Sequence, residues 1–405
     1  MIKIKTLASV FFLTGTAVVQ AQYEPLINAA DSGKIWEYQE NLSDEFNGNA
    51  LDWNNKWFYN NNLPTVKAWK WNNGNNVKLV GNAAEIKMSH NNNNIAVDGT
   101  YFNSGILKTK GTFVTGYVEA RIKGAVMNVP GTDNGRGVCP SFWLYSDFDR
   151  SVGEGKTVYS EIDIVELQQY DYFNGEQDDI FDMEHNLHLV RKVNGQDVWF
   201  RPKQNVATQK NHYTASFDPT KDYHVYGCEV NEKEIIWYVD GARVASKPNT
   251  YWYRPMNVTL SLGLRVPFVK FVNNVFEPVN PLIDARAKNQ LSAIPTTMSV
   301  DYVRVWKSKR SDSTGSDTGT TNPTDGYKGD IRVFLNQRLK TLNIVLGNFS
   351  GESRITMFNL SGTKLLDTTS RLSEIVLPTN SYPNAPYILH VTNQNGVHSQ
   401  KIFIK

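Results

Sequence analysis

The run Glu161-Ile162-Asp163-Ile164-Val165-Glu166 places three carboxylates among β-branched residues. Acids are depleted from strands, so three in six positions need a reason. Strand side chains alternate faces with period 2; Glu161 and Asp163 share a face, and Glu166 falls out of phase. A one-residue β-bulge at Ile164 or Val165 returns Glu166 to that face. Two glutamates flanking a sugar bond, with a third acid tuning one of them, are the equipment of a retaining glycosidase. After the bulge, four steps put the two glutamate backbones about 13 Å apart. Retention needs carboxyl groups about 5 Å apart, a gap that two glutamates leaning together from a concave sheet close and two aspartates do not. One glutamate must be ionised to attack the anomeric carbon, and the other protonated to serve the leaving oxygen. Crowding by Asp163 leaves one of the three acids protonated. Their order does not say which glutamate takes which role. The competing reading, a solvated edge strand with scattered acids, is opposed by the aromatic-rich flanks.

The elements that must hold these acids are short. From residue 23 to about 307, strand-like runs such as Gly116–Lys123 and Glu234–Val239 alternate with Asn, Gly, Asp and Pro clusters. Asp240-Gly241 is a hairpin signal between Glu234–Val239 and Ala242-Arg243-Val244. Long amphipathic helical patterns are absent. The predicted fold class is all-β: a large two-sheet sandwich. All ten tryptophans precede residue 307. Pyranose faces pack on aromatic rings, so Trp-rich strands point to carbohydrate, although core packing accounts for at least half of them.

Charge excludes one class of partner. The chain has 42 basic and 40 acidic residues. Residues 1–21 read as a secretory signal, with Lys3 and Lys5, an apolar run from Leu7 to Val19 and a Val19-Gln20-Ala21 cleavage site. Its removal leaves no net charge to steer a polyanion, so no nucleic acid is expected, and an anionic substrate must be held by local arginines. No stretch is long enough to span a membrane. Cys139 and Cys228 are read either as a disulfide or as two buried thiols. Residues 308–327, rich in Ser, Thr, Gly and Asp, read as a flexible linker. Residues 328–405 then read as a small C-terminal β-sandwich without clustered acids.

With these residues in view, Ser160–Leu167 resembles the bulged catalytic strand of glycoside hydrolase family 16. Pro140–Ser146 with Asp149-Arg150-Ser151, Trp237–Gly241, Tyr251–Arg254 and Met256–Arg265 resemble its κ-carrageenase branch, and Asp301–Trp306 resembles its closing strand. The resemblance covers roughly residues 36 to 307. It implies a concanavalin-like β-jelly-roll with a concave catalytic cleft and a domain over 22–307. It also implies endo-hydrolysis of β-1,4 bonds with retention in a sulfated red-algal galactan, first of all κ-carrageenan. Glu161 then resembles the nucleophile, Asp163 the assisting acid and Glu166 the acid/base. Arg265 and Arg201 match cleft arginines suited to sulfate, whose oxygens fit a planar guanidinium fork. Trp69, Trp143, Trp199, Trp252 and His188 match substrate contacts, and Trp71 is assigned to the core. Asp301 matches a residue that helps hold a structural calcium ion, with a satisfied strand-end aspartate as the alternative; no cofactor is required for the reaction.

The segment Tyr170 to Glu184 looks longer than the family's loop, and its acids sit awkwardly with dense sulfation. Furcellaran or another hybrid carrageenan is therefore an alternative substrate, with agarose or porphyran behind it. Ile355–Gly362 and Lys401–Lys405 resemble the type IX secretion sorting domain of Bacteroidota. The expected protein is a secreted monomer whose partners are the galactan and the secretion machinery. The readings from other classes are a jelly-roll lectin and a surface adhesin; the three crowded acids oppose the first and the aromatic cleft residues the second.

Overall fold

The computed structural model describes residues 23–27, 34–59, 68–91, 100–173, 175–272, 275–310, 330–336, 340–347, 351–372 and 374–404. The leader at 1–21 and positions 311–327 of the linker lie outside the described residues.

Two sheets, antiparallel except where Trp69–Trp71 runs parallel to Phe102–Ser104, share one core. The back sheet runs Ala242–Pro248, Glu234–Val239, His224–Val230, Gly116–Lys123, Thr296–Arg310, Ala83–His90, Phe102–Ser104 and Trp69–Trp71. The front sheet runs Gln196–Phe200, Leu187–Val193, Thr157–Leu167, Val138–Tyr145, Asn257–Leu264, Ile106–Thr109 and Trp57–Phe58. The neighbours are mostly non-consecutive in the chain, the order of a jelly-roll, in which each sheet's inner face supplies half of the core. The expected all-β jelly-roll is therefore present.

Alternation explains which residues face which way. Phe142 and Leu144 are buried in the core, as are Val258, Leu260 and Leu262 of the next strand. Their alternate neighbours Ser141 and Trp143 pair with Ser261 and Thr259 on the opposite face. The Asp240-Gly241 turn forms as expected, with positive φ at both residues, the backbone that a two-residue hairpin requires. The closing strand extends to Arg310, three residues past the expected boundary, because Lys34–Tyr38 pairs with it up to that residue.

The C-terminal strands form separate sheets of three and four strands among the described residues, around their own core of Ile344, Leu346, Ile355, Met357, Leu389 and Val391. No helix among the described residues is long and apolar enough to cross a membrane.

Candidate active site

The strand Thr157–Leu167 lies in the middle of the front sheet. Its register against Val138–Tyr145 shifts between Asp163 and Val165: Asp163 faces Trp143, and Val165 faces Phe142. This is the expected bulge. Ile164 and Val165 are consecutive, yet both are fully buried in the core. Glu166 is thereby turned to the same side as Glu161 and Asp163, and it pairs across the sheet with Ser141.

That side is a cleft of about 310 Å³ lined by Glu161, Glu166, His188, Arg201 and Arg265, together with Gln169, Asp171, Lys203, Lys210, Phe271 and Phe276. Asp163 lies beneath, almost wholly buried. His188, directly across from Glu161 on the next strand, sets Nε2 3.2 Å from Asp163 Oδ2 and 3.7 Å from Glu161 Oε1. The Tyr159 hydroxyl donates to Glu161 Oε2. Arg265 Nη2 donates to Glu166 Oε1 at 2.6 Å, and Gln169 Nε2 donates to Glu166 Oε2 at 3.2 Å. Arg265 Nε donates to the same Gln169 side chain.

The electrostatics follow from this crowding. Burial first, then the charges of Glu166 and Glu161, push the Asp163 carboxyl well above its ordinary range, against the opposing pull of His188. Burial opposes charge on His188, but Glu161, Asp163 and Glu166 outweigh it and push its pKa up to about 9. Two glutamates, a raised aspartic acid and a raised histidine thus crowd one site, the groups that acid/base chemistry on a sugar bond needs.

Several expected contacts change. Trp252 is buried, and its indole Nε1 donates to the backbone oxygens of Glu161 and His188, both at 3.0 Å. It pins the two strands and presents no face to a sugar. Trp69 is also a core residue, edge-on to Trp71 at 5.7 Å, whereas Trp71 is the more exposed of the two. Trp143 is half-buried, donates to Ser261 Oγ at 3.1 Å and stacks on Tyr145 at 4.6 Å. Trp199 keeps an exposed face, with the Arg201 guanidinium 4.2 Å from its ring centre.

Cys139 and Cys228 are buried free thiols, so the disulfide reading fails; they stand in different sheets. Asp301 accepts from Arg121 Nη1 at 2.7 Å. The pair is open to solvent on both sides, as a satisfied strand-end aspartate would be. Among the acids of 170–184, Asp171 pairs with Lys203 at 3.0 Å and Glu184 with Lys210 at 3.1 Å, and Asp182 faces His212 at 3.1 Å, which weakens their opposition to a sulfated ligand.

Tyr159, Gln169, Lys203 and Phe271 were not among the expected site residues. Tyr159 was within reach of period-2 reasoning, being two residues before Glu161. Nothing local marks the others.

Residues 36–308 match the family model described as the GH16 domain of β-porphyranases A–D. The chain belongs to glycoside hydrolase family 16. This family 16 hydrolase is 37% identical over 310 residues to a κ-carrageenase of Pseudoalteromonas carrageenovora, covering 74% of this chain and 70% of that one. It is 56% identical to the crystal structure of a κ-carrageenase of Zobellia galactanivorans, over 71% of this chain and 100% of that one, with a TM-score of 0.67. It is 35% identical to the Pseudoalteromonas enzyme crystallised with a κ-carrageenan oligotetrasaccharide, over 68% of this chain and 97% of that one, with a TM-score of 0.57.

Proposed function

We propose that this hydrolase cleaves β-1,4 linkages within κ-carrageenan with retention of configuration. The observation that carries the reading is the Ile164 bulge, which sets Glu166 beside Glu161 and Asp163 in a cleft flanked by Arg201 and Arg265. The κ-carrageenase relatives, at 35–56% identity in their solved structures, support the substrate class. In the first step Glu161 attacks the anomeric carbon while Glu166 gives its proton to the departing oxygen. In the second, Glu166 takes a proton from water, which then attacks the same carbon and frees Glu161. The Tyr159 hydroxyl holds one Glu161 oxygen and leaves the other free to react. Asp163, raised by burial and crowding, pairs with His188 Nε2 at 3.2 Å and shares that imidazole's proton, so it does not stand as a bare third charge beneath the reacting centre. Arg201 offers a planar fork to ester sulfate, while Arg265, whose Nε and Nη2 serve Gln169 and Glu166, adds positive charge to the same cleft. A lectin would have no use for this crowding of acids.

A reducing-sugar assay on κ-carrageenan, furcellaran, porphyran and agarose tests the reading. Release should be fastest on κ-carrageenan and absent in Glu161→Gln. The porphyranase label of the family model makes porphyran the second substrate, and faster release from it would replace the first. NMR of the earliest products should show the β-anomer; the α-anomer would refute the role of Glu161.

The leader-like residues 1–21 and the sorting-domain-like 328–405 support export to the cell exterior through type IX secretion. Retention inside the cell of a chain truncated at residue 327 would bear this out, and unchanged export would refute it.

A further inference from the structure

A bulge breaks the ladder and leaves backbone carbonyls without their regular partners. Here it does so on both sides of the strand. Opposite Val138–Tyr145, Ile164 and Val165 stand against Phe142 alone. On the other side Ile162 pairs with Leu187 and Glu166 with Glu184, so three residues, Asp163 to Val165, face only His185 and Asn186. Unpaired carbonyls in a dry core are costly, and other donors must reach them.

Two side chains do. His185 is fully buried, and its Nδ1 lies 2.5 Å from the carbonyl oxygen of Ile164, the bulge residue itself. Trp237 rises from the back sheet, is fully buried, and donates its indole Nε1 to the carbonyl of Asp163 at 2.8 Å. Burial lowers the His185 pKa to about 4, so the ring is neutral and carries one N–H, which the Ile164 contact places on Nδ1. Nε2 has no hydrogen-bond partner among the described residues. The backbone of His185 is held independently: its N–H donates to the Asn211 carbonyl at 3.2 Å, and its own carbonyl accepts from Asn211 Nδ2 at 2.6 Å. The ring is therefore fixed from behind while it grips the bulge.

We propose that His185 and Trp237 are positioning residues that lock the Ile164 bulge and so hold Glu166 on the catalytic face. Neither touches the cleft. Losing either grip lets the bulge relax toward regular pairing, which turns Glu166 toward the core and leaves Glu161 and Asp163 in place. The loss should fall on the steps that use Glu166, with binding preserved. This inference rests on the proposed roles of Glu161 and Glu166.

The test uses the full chain and κ-carrageenan. His185→Asn keeps an amide N–H near the Nδ1 position; His185→Gln moves it toward Nε2. In His185→Gln, kcat should fall about 10²-fold, the effect of misplacing a reacting group by about 1 Å, with KM within about threefold. His185→Asn should recover about tenfold of that loss, the worth of one hydrogen bond. With an oligosaccharide carrying a dinitrophenolate leaving group, plus azide, acid/base help is bypassed and the deficit of His185→Gln should largely disappear. A native kcat in His185→Gln, or an equal deficit on the activated substrate, overturns the inference. Should the histidine variants not fold, Trp237→Phe removes only the indole donor and is judged by the same two results. An active Glu161→Gln would sink the catalytic reading itself. A native His185→Gln beside an inactive Glu161→Gln would sink only this inference.

Discussion

Replacing His188 with glutamine should flatten the pH dependence of stability between pH 6.5 and 9. The imidazole is enclosed by Asp163 at 3.2 Å and Glu161 at 3.7 Å, which raise its pKa from 6.5 to about 9 against the opposing effect of burial. A group whose folded-state pKa lies above its unfolded value stabilises fully below the unfolded pKa and loses that contribution as pH rises through the folded one. The rise corresponds to about 3 kcal/mol, present at pH 6 and gone above pH 9. Asp163 is also raised, to about 8, and slopes the same way inside this window; because His188 holds it down, its slope is steeper in the variant and offsets part of the effect. The difference between native and variant should therefore narrow by at most about 3 kcal/mol across the window. In melting temperature this is roughly 6 °C, at about 2 °C per kcal/mol for a domain of this size. Tryptophan fluorescence in urea isolates the right transition, because all ten tryptophans precede residue 307 and the C-terminal strands contain none. Parallel curves for the two proteins from pH 6.5 to 9 would refute the pairing of His188 with the acids.

Arg265→Ala should lower kcat/KM on κ-carrageenan by about 10²-fold, from loss of a charge-assisted contact worth about 2–3 kcal/mol. Desulfated polymer should lose far less, and equal losses would make Arg265 purely a partner of Glu166. Trp143→Ala should raise KM about tenfold through lost stacking, with kcat nearly unchanged; a pure loss of kcat would place the ring in the catalytic step. Both cysteines should resist thiol reagents in the native protein and react together once it unfolds, and labelling of fewer than two thiols in the unfolded, non-reduced chain would reveal a disulfide.

The acid-bearing strand was legible because its information is local. Period-2 alternation and the surplus residue between Asp163 and Glu166 are read from eight consecutive letters, and they demanded the bulge that the register shows. The hairpin at Asp240-Gly241 was legible for the same reason. The tryptophans were not. Trp69, Trp199 and Trp252 have the same chemistry, and the chain alone cannot say that the first and last are buried while Trp199 is exposed. At Asp301 the sequence left a calcium ligand and a satisfied strand-end aspartate open, and only the packed fold brings Arg121, on a neighbouring strand, against it.

By itself, then, the sequence determined an all-β sandwich, three acids on one strand, and the need for a bulge to align them. Only the tertiary structure decided which side chains surround those acids. Arg265 reaches Glu166 across 99 residues of chain, and Trp252 reaches Glu161 across 91. Such contacts depend on which strands become neighbours, and that choice is made by burial of the two sheet faces against each other rather than by any local preference. Phase along a strand is a property of the backbone, but the company a side chain keeps is a property of the packed fold.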